Sequence, residues 1–390
     1  MAKGSRPVST MAGSLSVATG SYRLEELILN IGVGIRRLAG IGGSTGLVLD
    51  QLRYLVAGGH RCDVFGESLD ARAVQDAGAR PVRLWRQPGS EYYSRRSFAR
   101  RAQRRIDRGD YSLVIGHGDL LKQDVLFVHN LVEREQELLA APGPPEETPI
   151  VRLHRELFVG RGFRQVIANS RLARRDLLDR YGLDPAIVQV AYPGFDRARF
   201  NDRQRPAVRR AARDKLGLDD QFLLAFITSG NFPLRGADIL RDTLLALPES
   251  LRVDCRVLAV GAAHNTRSLQ KDFAAAGLAD CLLARERRSD VEFYYAAADL
   301  LLHPARLETF GLVVVEAAAC GTPVLTSRAV GAAELLPAGA ELEQPAADGF
   351  AAQLVDLMEN RQKLAELAKI QSQAVQALSL IHISEPTRRH

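Results

Sequence analysis

Short apolar runs alternate with longer stretches of helical periodicity along most of the chain. In the first half, the runs that predict strands are 26–32, 62–65, 111–115, 125–128, 166–170 and 188–191. The second half repeats the pattern, with predicted strands at 223–227, 255–260, 300–302 and 323–325. Strands that alternate with helices form parallel sheets. The pattern therefore predicts an α/β fold with two doubly wound parallel sheets facing across a cleft.

The helix that follows the first predicted strand shows this periodicity clearly. Within 47–55, Val48, Leu52 and Leu55 fall on one side of a helix. Two glycines at 58–59 end that helix, and the next apolar run begins soon afterwards. The order of strand, glycine-rich loop, helix and strand predicts a parallel βαβ unit at the start of the fold.

The polarity of the chain changes near its middle. Residues 197–214 are polar, rich in arginine and contain Pro206, which predicts a linker. This linker would separate a first domain, 23–196, from a second domain, 215–377. The length of 390 residues agrees with two domains rather than one.

The two ends of the chain differ in character from the rest. Residues 1–22 are rich in Ser, Gly and Ala and lack an apolar signal core, which predicts a disordered leader. Residues 378–390 resemble the in-frame translation of a sequencing-library adapter, which predicts a non-native tail. Ile381, Ile383 and Pro386 show no sustained amphipathic period, so no further helix is expected in that tail.

Net charge, cysteine spacing and the length of the apolar runs limit the classes of function that the chain can have. The net charge of +6 and the pI of about 9.3 favour an anionic partner: nucleic acid, an anionic membrane or an anionic small substrate. An arginine-biased composition explains the same charge without any partner. The four cysteines lie far apart, which predicts reduced thiols in a cytoplasmic protein. No apolar run approaches the roughly 18 residues of a membrane span.

The segment 92–106 carries paired arginines at helical spacing. They are Arg95, Arg96, Arg100, Arg101, Arg104 and Arg105. Phe98, Ala99, Ala102 and Ile106 form a narrow apolar side. The pattern predicts either a basic amphipathic helix on the inner face of an anionic membrane or an ordinary solvated helix. Nucleic acid is not an expected partner, because no aromatic and basic binding module accompanies the arginines.

Two carboxylates, Glu308 and Glu316, lie on either side of Gly311. Gly311 permits a tight loop and a helix can begin at Leu312, which places Glu308 in the loop and Glu316 in the second turn. The free N–H groups at such a helix start suit a diphosphate, and the carboxylates can accept hydrogen bonds from sugar and ribose hydroxyls. Two solvated acids beside an ordinary β–α turn would show the same spacing. The His-Pro sequence before them and the Gly-Thr-Pro sequence after them favour a site.

The segment 297–324 resembles the Glu-x7-Glu signature of the family-four retaining glycosyltransferases, and the resemblance extends from about 27 to 375. It is most similar to the lipopolysaccharide-core branch of that family. The resemblance implies a GT-B fold of two Rossmann-like domains, a nucleotide-diphosphate sugar as donor, and retention at the anomeric carbon. It implies that Glu308 contacts hydroxyls of the donor sugar and that Glu316 contacts the ribose. The other donor-binding residues predicted here are Phe310, Gly311 and Leu312.

The loop at 228–236 follows a predicted strand and ends in a cation, a pattern that suits a diphosphate. Similar loops in the family carry an early arginine and a later lysine followed by glycine. Here Asn231 stands near the first position, and Arg235 takes the second, before Gly236. Arg235 keeps the positive charge and offers a planar fork to phosphate oxygens. Arg235 is therefore a predicted catalytic residue, and Gly230, Asn231 and Gly236 are predicted donor-binding residues.

Two histidines follow neighbouring predicted strands, His117 after 111–115 and His129 after 125–128. Side chains at the carboxyl ends of parallel strands point into the crevice. His129 resembles the family's histidine that touches the donor sugar near the reaction centre, and it is the preferred catalytic candidate. His117 is the rival candidate, and a partly buried structural role is the simpler explanation for either residue.

The glycine-rich loop after the first strand contains Gly40, Gly42, Gly43 and Gly46. Glycines alone indicate no more than a tight turn. In this position the loop resembles the family's first loop, which approaches the diphosphate and the acceptor. Gly42 and Gly43 are the predicted contacts.

The predicted reaction is transfer of a sugar from a nucleotide-diphosphate sugar to a glycan or lipid-linked acceptor, in cell-envelope polysaccharide or lipopolysaccharide synthesis. No Asp-x-Asp sequence occurs in the chain, so neither a required metal nor a separate cofactor is expected. A sugar-nucleotide epimerase would share the two-domain layout, but it would need further acid and base residues in the cleft. A noncatalytic nucleotide-sugar-binding protein is the other alternative, and donor hydrolysis above background would distinguish it from an enzyme.

Overall fold

A computed structural model describes residues 28–40, 43–140, 148–339, 341–376 and 381–383 of the chain. The predicted leader, Gly42 and most of the predicted tail lie outside the described residues. Within these ranges the molecule has two α/β domains, each built on a parallel sheet. The predicted fold class is confirmed.

The first domain alternates strands with helices that cover both faces of its sheet. Its elements are β1 (Asn30–Gly34), β2 (Arg37–Leu38), α1 (Gly43–Ala57), β3 (Arg61–Gly66), β4 (Ser68–Leu69), α2 (Ala71–Asp76), β5 (Arg80–Arg83), α3 (Glu91–Ile106), β6 (Leu113–Gly116), β7 (Val125–Val128), α4 (Val132–Leu139), α5 (Pro149–Gly160), β8 (Gln165–Ala168), α6 (Arg171–Tyr181) and β9 (Val188–Pro193). The first strand begins at Asn30, later than predicted, at the point where it pairs with Arg61 of β3.

The main sheet of the first domain has the order β9-β8-β7-β6-β1-β3-β5, and these strands are parallel. The central strand β1 pairs with β3 on one side and β6 on the other, so the winding of the sheet reverses beside β1. Loops that leave the carboxyl ends of strands at such a reversal diverge and leave a crevice between them. The glycine-rich loop and the loop that carries His117 leave the sheet at this place.

The second domain repeats the architecture around a sheet of order β12-β11-β10-β13-β14-β15. Its elements are α7 (Arg205–Leu216), β10 (Phe222–Ile227), α8 (Ala237–Ala246), α9 (Glu249–Arg252), β11 (Cys255–Gly261), α10 (Ala263–Ala275), β12 (Leu282–Glu286), α11 (Val291–Ala297), β13 (Leu300–His303), α12 (Leu312–Ala319), β14 (Val324–Ser327), β15 (Glu341–Leu342), α13 (Ala347–Glu359) and α14 (Arg361–Gln376). Strands β10 and β13 are completely buried, as their uninterrupted apolar runs indicate.

Much of the segment predicted as the linker is helical. Residues 202–204 form a 3-10 turn, and α7 occupies the segment from Arg205 onwards. Arg209 explains why this polar stretch packs: its guanidinium donates to the carbonyls of residues 296–298 and to the carboxylate of Asp299 at 2.7 Å. These carbonyls end helix α11 and have no partner within it. Helix α7 therefore packs as part of the second domain.

Residues 381–383 form a further strand, β16 (Ile381–Ile383), where no helix was expected. Its backbone pairs antiparallel with β9, Ile381 opposite Pro193 and Ile383 opposite Ala191. Strand β9 otherwise ends the sheet of the first domain, and its exposed edge offers backbone groups for pairing. The chain thus returns from the second domain to the first.

The arginine-rich helix α3 packs its apolar side against the first domain. Phe98, Ala102 and Ile106 are buried in one cluster with Phe65 and Leu120. The predicted helix is confirmed, but this apolar side faces the protein interior rather than a membrane. Several of its arginines also have partners within the protein, among them Arg101, which lies 2.7 Å from the Glu67 carboxylate.

Candidate active site

A cleft of about 550 Å³ lies between the two domains. The first domain contributes the start of α1, His129 after β7, and Asn169 after β8. The second domain contributes the loop after β10, the loop after β12 and the start of α12. The sequence-predicted residues that line the cleft are Gly43, His129, Gly230, Arg235, Glu308, Phe310, Gly311, Leu312 and Glu316.

The two carboxylates take the positions that the sequence predicts. Gly311 has a φ of 94°, a left-handed conformation that favours glycine, and Leu312 begins helix α12. Glu308 lies in the preceding loop, where its N–H and C=O bond Ala329 and Gly331. Glu316 lies in the second turn of the helix. The unpaired N–H groups at the start of α12 therefore lie between the carboxylates, on the wall of the cleft.

Arg235 and Glu308 form a buried ion pair. The Arg235 Nε lies 2.5 Å from Glu308 Oε2, and the two side chains are 10% and 17% exposed. The contact is ionic rather than an aligned hydrogen bond, since the Nε–H direction misses the carboxylate. The Nη1 of Arg235 also donates to the carbonyl of Leu307 at 2.5 Å. Arg235 belongs to the loop at 228–236, and through these two interactions it contacts the loop that contains Glu308.

Burial raises the pKa of the Glu308 carboxyl above its ordinary value. The positive charge of Arg235 and the backbone N–H groups of Thr309 and Phe310 act in the opposite direction. Glu135, on α4 of the first domain, has its pKa raised for the same main reason, and the charge of Arg235 again opposes the shift. Arg235 thus faces carboxylates from both domains, and its positive charge partly offsets the effect of their burial.

Glu316 is held by a tyrosine that the sequence analysis did not single out. The hydroxyl of Tyr295, on α11, donates to Glu316 Oε2 at 2.8 Å. Burial raises the pKa of Glu316, while the Tyr295 hydrogen bond and the charge of Arg199 lower it. The hydroxyl of Thr322 in turn donates to the carbonyl of Tyr295 at 2.6 Å. One carboxylate oxygen of Glu316 is therefore fixed, which leaves the other to accept a ligand hydroxyl.

The two candidate histidines are hydrogen-bonded to each other. The distance between His117 Nδ1 and His129 Nε2 is 2.9 Å. His129 lines the cleft, whereas His117 lies behind it and is not part of the lining. Burial lowers the pKa of His129 to about 4 and that of His117 well below its ordinary value. Both rings are accordingly neutral at physiological pH.

Thr309 connects the two domains at the cleft. Its hydroxyl donates to the carbonyl of His129 at 2.6 Å and accepts from the amide of Asn169 at 3.1 Å. Its carbonyl accepts from Ser170 Oγ at 2.6 Å. Thr309 stands between Glu308 and Gly311 in the sequence, but its type alone indicates no partner. Only the approach of the domains identifies it as a functional candidate.

Two glycines of the site have close neighbours. A Cβ on Gly43 would lie 2.9 Å from Leu312 Cδ1, across the cleft. A Cβ on Gly230 would lie 3.1 Å from the guanidinium of Arg235. A side chain at either position would require Leu312 or Arg235 to move, and the glycine at 43 lets α1 approach the start of α12.

Asn231 and Gly236 do not line the cleft, in contrast to Gly230 and Arg235 of the same loop. The side chain of Asn231 accepts the N–H of Leu234 at 3.0 Å, so it shapes the turn. Gly236 has a φ of 77°, and a Cβ there would lie 2.1 Å from the carbonyl oxygen of Pro304. These two residues shape the loop that presents Arg235. Gly42 lies outside the described residues.

No group of three or more His, Cys, Asp or Glu side chains among the described residues is placed to hold a metal ion. No helix in the described ranges combines the length and apolar character needed to cross a bilayer.

Comparison with known families matches both domains of the chain. Residues 41–199 match the model described as Glycosyltransferase Family 4. Residues 208–374 match the model described as Glycosyl transferases group 1. The interval between the two matches, residues 200–207, contains the end of the segment that joins β9 to α7 and the first residues of α7.

Curated relatives include two proteins named D-inositol 3-phosphate glycosyltransferase. The protein from Geodermatophilus obscurus is 34% identical over 209 residues, which cover 51% of this chain and 45% of the relative. The protein from Salinispora arenicola is 33% identical over 254 residues, which cover 58% of this chain and 56% of the relative. The chain thus spans about half the length of the curated relatives it matches.

Solved structures with a similar fold include WaaG, a glycosyltransferase involved in lipopolysaccharide biosynthesis, and Anabaena Alr3699/HepE in complex with UDP and glucose. Their TM-scores are 0.76 and 0.74, and each is 21% identical to this chain. Each match covers 90% of this chain and 96% of the other. At this identity the likeness is one of fold, and it agrees with the GT-B arrangement of two sheets around a cleft. With one family model matched by each domain, the chain belongs to the glycosyltransferases of the family 4 and group 1 type.

Proposed function

We propose that the protein is a retaining glycosyltransferase that moves a sugar from a nucleotide-diphosphate sugar to a glycan or lipid-linked acceptor. The observation that carries the proposal is the convergence of Glu308, Glu316, Arg235 and His129 on one interdomain cleft. Three of these residues surround the start of α12, and the fourth faces them from the first domain. A solved structure of similar fold contains UDP-glucose, which supports a nucleotide-sugar donor.

The proposed donor pose follows from the charges and free N–H groups of the cleft. The diphosphate lies between Arg235 and the N–H groups at the start of α12, which together stabilise the charge that grows on the leaving group. The free oxygen of Glu316 accepts a ribose hydroxyl, and Glu308 accepts a hydroxyl of the transferred sugar. Without donor, Arg235 and Glu308 neutralise each other. When the donor binds, Arg235 would contact its diphosphate and Glu308 would contact a hydroxyl of its sugar.

The proposed chemical step is attack on the same face that the leaving group departs from, which retains the anomeric configuration. The acceptor oxygen forms the new bond to the anomeric carbon as the bond to the diphosphate oxygen breaks. The acceptor hydroxyl gives its proton to the departing phosphate oxygen. Arg235 stabilises the charge of that phosphate, and Glu308 orients the sugar. This route requires neither a protein nucleophile nor a separate cofactor.

The proposed acceptor belongs to cell-envelope polysaccharide or lipopolysaccharide synthesis. The fold similarity to WaaG supports this class, whereas the sequence similarity to D-inositol 3-phosphate glycosyltransferases supports a phosphorylated cyclitol. A panel containing both acceptor classes, assayed with the same radiolabelled donor, distinguishes them by which product gains the sugar.

The decisive test uses the two carboxylates. We expect Glu316→Ala to weaken binding of the free nucleotide diphosphate, and Glu308→Ala to reduce transfer, because each removes a hydrogen bond to an ionised group that contributes about 1.5–3 kcal/mol. Calorimetric titration of the nucleotide and a transfer assay measure the two effects. Near-normal binding and transfer in both variants would exclude this cleft as the donor site. Product with an altered sugar and no transfer would identify an epimerase instead.

Peripheral contact with an anionic membrane is also proposed, through exposed charge rather than apolar insertion. Arg100, Arg104 and Arg105 are exposed on α3, and Trp85 nearby in the chain is 86% exposed. Each cation near an anionic surface contributes about 1 kcal/mol. Co-sedimentation with vesicles containing anionic lipid should decrease when the three arginines are replaced by glutamine. Equal sedimentation of the variant and the parent would refute the contact.

A further inference from the structure

We propose that His117 is a positioning residue that fixes the ring tautomer of His129, so that His129 presents an N–H donor to the substrate. The inference rests on the proposed function, because it assigns a role within the same cleft. His117 and His129, which the sequence offers as rival candidates, then have two different roles in the same cleft. His129 is the residue that faces the ligand, and His117 acts on it from behind.

The contact between the rings has the geometry of a single, well-aligned hydrogen bond. His117 Nδ1 and His129 Nε2 are 2.9 Å apart, and the ring planes lie within 18° of each other. An N–H in the plane of one ring can therefore point along the lone pair of the other. The ring of His117 also stacks on Phe127, at a centroid distance of 5.5 Å, which restricts its rotation.

The backbone of His129 is held as firmly as its ring. Its carbonyl accepts the Thr309 hydroxyl of the second domain at 2.6 Å. With Nε2 bonded to His117, Nδ1 is the ring atom of His129 left for a ligand. Within the described ranges, Nδ1 bonds no other protein group. The surrounding structure thus leaves one polar atom of this ring for the cleft.

The two neutral rings share one hydrogen bond, and only two arrangements of their protons allow it. In the first, His117 donates from Nδ1, His129 carries its proton on Nδ1, and His117 Nε2 is a bare lone pair. In the second, His129 donates from Nε2, and His117 Nε2 carries a proton. His117 Nε2 is buried and has no hydrogen-bond partner among the described residues. A buried N–H without an acceptor is rarer than an unsatisfied acceptor, so the first arrangement is favoured.

The chemical consequence is a neutral donor aimed at the substrate. A donor at Nδ1 can bind a hydroxyl oxygen of the transferred sugar or a phosphate oxygen without bringing a full positive charge. Loss of His117 would leave Nε2 of His129 without its donor, and the ring would then exchange between tautomers and rotate. Transfer should suffer through misorientation, whereas nucleotide binding in the second domain should not.

The test compares His117→Phe with His117→Asn in the full chain, with His264→Asn on the exposed surface of α10 as control. Phenylalanine keeps the ring volume and the stack on Phe127 but removes the hydrogen bond, whereas asparagine places an amide near Nδ1. We expect His117→Phe to lower kcat by about tenfold, the value of one hydrogen bond, with little change in donor KM. His117→Asn should recover much of this loss. Equal kcat in His117→Phe and the parent would overturn the proposal.

A second readout does not depend on transfer. Long-range 15N–1H spectra of labelled imidazoles distinguish protonated from bare ring nitrogens and report the tautomer of His129 directly. We expect Nδ1–H in the parent and in His117→Asn, and mixed tautomers in His117→Phe. A parent spectrum with Nε2–H on His129 would refute the inference, even if transfer is observed. If no transfer is detected with any donor, the proposed function fails, and the spectra still decide whether His117 sets the tautomer.

Discussion

Replacing Arg235 with methionine tests the electrostatics of the cleft most directly. The change leaves Glu308 buried without the cation that lies 2.5 Å away. Both side chains are less than one-fifth exposed, so solvent screens the pair only weakly. Removal of one partner from a buried pair destabilises proteins by about 3–5 kcal/mol. Glu308 can take up a proton, because its pKa is already raised by burial. We therefore expect Arg235→Met to lower the free energy of unfolding by about 3 kcal/mol, the lower end of this range.

This magnitude is measurable by thermal unfolding. In domains of roughly 150–250 residues, 1 kcal/mol shifts Tm by about 2–4 °C, so about 3 kcal/mol corresponds to roughly 6–12 °C. The matched control is the double variant Arg235→Met with Glu308→Gln. It removes both charges, so its Tm should recover most of the loss. An Arg235→Met protein with the parental Tm would refute the buried pair, as would a double variant no more stable than the single one.

The same variants separate stability from catalysis. A cation that contacts the leaving diphosphate contributes about 1.5–3 kcal/mol, which corresponds to roughly 10- to 150-fold in the transfer rate. Both the single and the double variant should show this loss, while Arg235→Lys should lose less because it keeps the charge. Recovery of transfer in the double variant would show that Arg235 acts only by neutralising Glu308. Transfer in Arg235→Ala equal to the parent's would remove Arg235 from the site.

Three further predictions concern the walls of the cleft and its buried histidines. Tyr295→Phe should weaken binding of the free nucleotide diphosphate about five- to tenfold by calorimetry, and an unchanged Kd would exclude a positioning role. Gly43→Val should lower kcat/KM, because the new side chain would meet Leu312 on the opposite wall of the cleft. Gly46→Ala is the control and should change kcat/KM far less, because the space around its Cβ is open. Equal effects of the two substitutions would contradict the steric argument. The pKa values of His129 and His303 are about 4 and about 3, below those of exposed imidazoles. The unfolded chain therefore binds more protons, and stability should fall as pH decreases from about 6.5 towards 4. A Tm that stays constant from pH 7 to 5 would show that these imidazoles are not buried.

The sequence predicts those parts of the site that depend on local chain geometry. A strand, a glycine in the left-handed region and a short apolar helix suffice to place Glu308 in a loop and Glu316 one turn into α12. Neighbouring apolar runs likewise predict the parallel strands, because both faces of such a sheet are buried. In these cases the residues that determine the geometry lie within about ten positions of one another.

Contacts that depend on the approach of distant elements escape sequence reasoning. The hydrogen bond between His117 and His129 requires the side-by-side placement of β6 and β7, and Tyr295 reaches Glu316 only because α11 packs beside α12. The arginines of α7 predict a linker, because their partners, the carbonyl groups that end α11, lie almost ninety residues away in the sequence. Residue type carries no information about such partners.

The segment that joins β9 to α7 has a mechanical consequence, because it passes from one domain to the other. It lies against the end of α14, since Arg197 donates to the carbonyl of Gln376, and Ser372 donates to Asp202 at 3.1 Å. A short connection of this kind can act as a hinge, in which a few loop residues take up the movement. Opening of the cleft about this hinge would break the hydrogen bonds that Thr309 makes to His129 and Asn169, and closure would restore them.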